Sequence, residues 1–150
     1  MPISLKKGML FLTLACSAIA LIWEKDLRAS DERDAEIQIL SSGFSSVFAT
    51  QSMIIDAIKD LEKILDFDET REENEQFSLE SKAVLRASIA LGEKTLEAIE
   101  DLRELYAAAL QESPSLVLLE RIHDQTEKCN SLIRKAFLTL QQSPQVMKKS

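Results

Sequence analysis

Between residues 30 and 67, one side-chain class returns at strict intervals of three and four. Ile37, Leu40, Phe44, Val47, Gln51, Ile54, Ile58, Leu61 and Leu65 form an unbroken 3-4 repeat in which Gln51 is the single polar member. A strand would need a period of two, so this spacing predicts an α-helix with an a/d heptad seam. Only three Gly and three Pro in 150 residues leave few places for turns, which reinforces the reading. Ser30 is suited to cap the helix, with Asp31, Glu32 and Asp34 favourable near its N-terminus. The weak stretch is Ser41, Ser42, Gly43, Ser45 and Ser46, which could kink or split the helix. Because the heptad phase continues through it, an intact helix over 30–67, about 57 Å long, is expected.

Two further helices follow. The second is predicted over 72–111, opening at a Thr70/Glu73 capping box or later, near Ser78. Leu85, Ile89, Gly92, Leu96, Ile99, Leu102, Tyr106 and Leu110 share one face, and Gly92 marks a place where another helix could approach closely. The third is predicted over 114–142, with Ser113 as cap and Pro114 at the first position, where its missing N–H costs nothing. Its face carries Leu119, Ile122, Thr126, Cys129, Ile133, Ala136 and Leu140. Ser143-Pro144 is expected to end it, leaving a basic tail over 143–150 whose last residues, 146–150, are mobile. Residues 56–65 also resemble residues 97–106, a match that two amphipathic helices reach readily by chance.

Short connections and sustained heptads place the chain in the all-α class. The expected architecture is an elongated antiparallel three-helix bundle, or coiled-coil-like helical hairpin, over 30–142. A linker at 24–29 joins it to an N-terminal hydrophobic signal or anchor helix at 1–23. The third helix is about ten residues shorter than the first. Part of the long seam then lacks a partner within the chain, which predicts self-association or a helical partner.

The N-terminal segment bears on the compartment. Lys6 and Lys7 precede sixteen uncharged residues, 8–23, which as a helix span about 24 Å against a hydrocarbon core of about 30 Å. Basic, then apolar, then small residues is the order of a secretory signal peptide, with Ala18-Ile19-Ala20 as its cleavage site. Leu21, Ile22 and the interfacial Trp23 suit an uncleaved membrane anchor instead. Lipidation at Cys16 and an ordinary core helix are the remaining alternatives. Export to the periplasm or to the extracytoplasmic face of the cytoplasmic membrane is the expectation. Removing residues 1–20 would take the net charge from −7 to −9.

An acidic chain of that charge lacks the basic face that meets phosphates, so nucleic acid is not expected as a partner. The charge is uneven. Seven acids crowd residues 66–80 beside Arg71 alone, whereas six bases from Arg121 onward face only Asp124 and Glu127. A basic third helix beside more acidic neighbours accounts for this, and a basic C-terminus reaching an acidic partner or lipid headgroups is the alternative. Glu120-x-x-His123 has the spacing used in di-iron bundles, but that centre needs two such motifs and this chain has one His. Cys129 and His123 sit on different helix faces, which does not suit a nucleophile and its base. Glu93, Glu97, Glu100, Asp101 and Glu104 read as a solvated face. Cys129 reads as a small buried hydrophobe, or as a thiol that pairs with a second subunit in an oxidising compartment.

No catalytic, cofactor or metal residues are therefore expected, and no enzyme. The expected function is that of a non-enzymatic structural or protein–protein interaction module. It would be exported, or held in the membrane through residues 8–23, and assemble through the heptad seam, with Gln51 as a register device. The alternatives are an extracytoplasmic ligand-binding or sensory bundle and a membrane-tethered, envelope-spanning coiled coil.

Overall fold

A computed structural model describes residues 33–112 and 114–149. Ser30, Ser113 and the apolar segment 8–23 with Cys16 lie outside them. The described residues form helices α1 (Arg33–Glu69), α2 (Leu79–Gln111), α3 (Leu116–Gln141) and α4 (Pro144–Lys149), with a short 3-10 turn at Glu73–Glu75 and no strand. The all-helical reading and its three long packed helices stand.

α1 is continuous through the serine-rich stretch. Ser46 and Thr50 direct their hydroxyls to the carbonyls four residues back, at Ser42 and Ser46, and so remain compatible with helix. The end of α1 is acidic, an unfavourable sign for the negative end of a helix dipole. Cations from later in the chain offset it. Arg71 and Lys82 each lie 3.8 Å from Asp68, and Arg86 lies 3.8 Å from Glu69.

α2 is the central helix, in close backbone contact with both α1 and α3. The pairs that meet define antiparallel neighbours. Gly43 lies against Tyr106 and Ile58 against Gly92, while Gln51 bonds Glu100. On the other side Gln125 donates to the Ala98 carbonyl, Ser88 to the Ala136 carbonyl, and Ser81 and Ser143 share a hydrogen bond of 2.8 Å. One apolar core joins all three long helices and reaches Val146 of α4.

Three sequence expectations are corrected at the helix ends. The Thr70/Glu73 capping box does not form: Thr70 donates its hydroxyl back to Phe67 O, and α2 waits for Ser78, whose Oγ accepts from Ser81 N. α3 starts two residues later than expected. Ser115 supplies the cap by accepting from Leu118 N, so Pro114 stands outside the helix. The cap-then-proline arrangement occurs instead at Ser143-Pro144. There Ser143 Oγ accepts from Val146 N and Pro144 opens α4.

Residue 146 is therefore not part of a free tail: Val146 is completely buried. The shortfall of α3 relative to α1 is filled by the same device, since Ser143 and Gln145 reach Ser81 and Ser78 at the start of α2.

Candidate interaction surfaces and the connector cleft

The predicted seam on α1 divides into two kinds of position. Leu40, Val47, Ile54 and Leu61 are buried in the chain's own core. Ile58 is buried beside Gly92, Phe44 and Leu65 pack partly exposed against the core, and Ile37 is exposed. Gly43, Thr50 and Ala57 of α1 are buried as well and interleave with the first four at heptad spacing. The inner stripe thus lies slightly to one side of the predicted one, and small residues line it. α2 repeats the pattern with Ser81, Ser88, Gly92 and Thr95. Small side chains let helix axes approach, and the hydroxyls of Thr50, Ser88 and Thr95 bond carbonyls while that of Ser81 bonds the Ser143 hydroxyl, so none remains unsatisfied.

Gln51 lies at the rim of this packing. Its Nε2 donates to Glu100 Oε2 at 3.3 Å and its Oε1 accepts from Arg103 at 3.4 Å. Arg103 also pairs with Glu100 at 3.0 Å and places its guanidinium 4.2 Å from the centre of the Phe48 ring. Phe48 meets Phe44 edge-on at 4.9 Å, and Phe44 leans on Tyr106. This cluster ties α1 to α2 while leaving Phe48 40% exposed.

Leu116 and Val117, on the first turn of α3, are also exposed, as is Ile37 near the start of α1. The antiparallel pairing brings these three to one end of the bundle, the end at which residues 1–32 join it.

The residues weighed for chemistry are dispersed. Glu120 is exposed. His123 is half-buried, with Nδ1 3.6 Å from the neighbouring Asp124 carboxylate. Cys129 is wholly buried and its thiol is pushed up to about 12 from 9.0, chiefly because burial opposes the thiolate, with Asp101 adding to the rise. A completely buried thiol cannot meet a second subunit, so the intersubunit disulfide is not compatible with this fold. Glu93, Glu97, Glu100, Asp101 and Glu104 are all exposed. Arg121 and Lys128 of α3 border one shallow groove with Asp101 and Glu104 of α2, which matches the expected basic-beside-acidic packing. The side chains of Lys148 and Lys149 lie outside the described residues. Among those residues, no three His, Cys, Asp or Glu side chains are grouped to hold a metal ion, and no helix is long and apolar enough to cross a membrane.

The opposite end of the bundle carries a feature that the sequence reading passed over. The acidic connector folds back so that Phe77 is buried and its N–H donates to Asp68 Oδ1 at 2.8 Å. Asp68 is 1% exposed. Lys63, Ile64, Phe67, Asp68, Arg71 and Phe77 surround an open cleft of about 430 Å³. The signal that could have revealed it is the pair of phenylalanines, Phe67 and Phe77, at either side of an otherwise charged stretch.

No known protein family, curated protein or solved structure matches the chain.

Proposed function

We propose that the chain is a non-enzymatic helical protein, exported or held at a membrane by its N-terminal segment, that works through protein–protein contact. The observation that carries this reading is the apolar end of the bundle. Ile37, Leu116 and Val117 stand exposed there, while the other apolar residues of the seam on α1 are buried in the core or packed against it; Phe67, Leu79 and Leu138 are exposed toward the connector end. Scattered surface leucines need no explanation, but large apolar side chains gathered at one end favour a partner. The 3-4 spacing of the buried positions on α1 and α2 supports coiled-coil-like packing, so the bundle acts as a stiff body that presents this end. A second copy of the chain is the partner proposed. The contact surface moves from the predicted seam to the rim, because the seam's central residues serve the internal core.

The test is sedimentation equilibrium of the full chain in mild detergent, comparing the native sequence with an Ile37→Ser/Val117→Ser double variant. The native chain is expected at a multiple of 16.9 kDa. The variant is expected to be monomeric with unchanged far-ultraviolet circular dichroism. A native chain that is monomeric throughout the concentration range refutes the proposed self-association. N-terminal sequencing of the protein from its native cell tests the export part, by showing a start at Leu21, an intact residue 1, or lipid on Cys16.

A further inference from the structure

The shallow groove between α2 and α3 is flanked by two exposed rows at heptad spacing. On α2 the row runs from Ala83 to Ala108 through Lys94, Glu97, Asp101 and Glu104. On α3 it runs from Val117 to Leu138 through Arg121, Asp124, Lys128 and Lys135. The first row carries a net charge of −2 and the second +2. Among the described residues no ion pair joins the two rows, so their charges are not spent on each other. The floor between them is apolar, with Leu105 and Leu132 half-buried.

An occupant must match this face in sign, spacing and length. A second copy does so when the two-fold axis runs along the groove, parallel to the helices. That axis sets α2 of one copy against α3 of the other, the acidic row against the basic one. It allows no sliding along the helices, so the rows meet at the heights they hold within one chain. The pairs Gln125–Ala98, Ser88–Ala136 and Ser81–Ser143 fix those heights. Arg121 then falls between Glu104 and Asp101 of the other copy. Val117, 65% exposed, falls beside Ala108, and Leu138, 51% exposed, falls between Ala83 and Ala87. Large apolar side chains thus meet alanines. Lys128 falls between Glu97 and Lys94, and Asp124 between Asp101 and Glu97, so Lys94 and Asp124 run against the pattern. An axis across the helices would instead oppose each row to its own sign throughout. The face is about 38 Å long and two helices, about 20 Å, wide, which matches the roughly 800 Å² per partner of a standard interface.

We propose that two copies of the chain pair side by side and parallel along the α2–α3 groove. This rests on the self-association read above and gives it a geometry. The apolar ends of the two copies lie next to each other, with Val117 at the head of the shared face. Exposed ion pairs add little affinity, so the charges set direction and register while the apolar contacts hold the copies together.

The experiment is sedimentation equilibrium of the full chain in mild detergent with the rows reversed in charge. Arg121→Glu/Lys128→Glu gives the α3 row the sign of the α2 row and should weaken association by about tenfold or more. Adding Glu97→Lys/Glu104→Lys to that chain reverses both rows, keeps the net charge at −7, and should restore native association. All four side chains are exposed, so unchanged circular dichroism is expected. Carbodiimide coupling of a mixture of isotopically light and heavy chains should join Lys128 of one copy to Glu97 of the other. The proposal is overturned if the native chain stays monomeric, if reversal of the α3 row leaves association unchanged, or if reversal of both rows does not restore it. Light–heavy links from Lys128 to Asp124 in place of Glu97 also overturn it, since they set α3 against α3. A native chain that associates yet ignores the charge reversals retains self-association at the apolar end and loses only this geometry.

Discussion

Gly43 and Gly92 occupy equivalent roles on facing helices, yet an alanine at each should have different consequences. In a helix interior, Gly→Ala gains about 1 kcal/mol from propensity, so both changes begin with the same benefit. What opposes it differs. A Cβ at Gly43 would lie 2.7 Å from Tyr106 Oη, 2.8 Å from Cε1 and 3.0 Å from Cζ. Tyr106 is completely buried and its rigid ring also packs on Phe44, so the helices themselves must move apart. Because a buried ring is in the way, the cost falls in the upper part of the range for overpacking, about 2–3 kcal/mol, which leaves Gly43→Ala destabilised by about 1–2 kcal/mol. A Cβ at Gly92 would lie 2.8 Å from Ile58 Cγ1 and 3.0 Å from Cδ1. That ethyl arm is flexible and not a rigid ring, and a rotamer change can move it aside. Gly92→Ala should therefore stay within about 0.5 kcal/mol of the native protein. Urea unfolding followed by circular dichroism at 222 nm separates the two, and the Gly43→Ala midpoint on heating should fall by about 3–8 °C. If Gly43→Ala is as stable as the native chain, or Gly92→Ala is the weaker of the two, the reasoning from ring rigidity fails.

The remaining predictions concern the helix ends, the tail and the buried thiol. Ser78→Ala and Ser115→Ala should each cost about 1 kcal/mol in urea unfolding, and Thr70→Ala only about 0.3 kcal/mol, because the two serines cap helices and Thr70 does not. Asp68→Ala should cost about 2–3 kcal/mol, since it strands the Phe77 N–H in the interior and removes the partner of Arg71 and Lys82. Val146→Ala should cost about 1–2 kcal/mol in the same assay, whereas a free tail would show no loss. For Cys129 the folded pKa lies above the unfolded one, so its contribution is fully present below pH 9.0 and lost as pH rises through about 12. In that window the unfolded chain has released a proton that the folded chain retains. Stability falls with pH by up to about 1.4 kcal/mol per unit from this group, and Cys129→Ala should remove that part of the slope.

The long helices were legible for a reason that also explains what was missed. On α3 every predicted inward position, from Leu119 through Cys129 to Leu140, is buried. There the core side is made of residues whose apolar character and burial coincide. α1 and α2 approach each other differently. At Gly43 and Thr50 the requirement is a small volume, and a search for large hydrophobes passes over residues chosen for size, whereas Gly92 was visible because a glycine inside a helical run stands out. Ile37 shows the converse, an apolar residue in correct phase that lies beyond the reach of its neighbours.

The connector and α4 were obscured because their structure depends on partners distant in sequence. Asp68 reads as one acid among seven until Phe77, Arg71 and Lys82 are brought beside it. Ser113-Pro114 and Ser143-Pro144 offer the same local signal, and only the burial of Val146 against the core makes the second one a helix start. A capping motif lowers the cost of starting a helix at a given residue, while tertiary burial decides whether the helix is retained. Six residues are too few to hold helical form by propensity alone, so α4 exists because α2 extends beyond α3 and exposes apolar surface that Val146 covers. The unequal helix lengths that pointed to an external partner are thus partly resolved within the chain. The apolar residues that remain exposed at the opposite end carry the case for one.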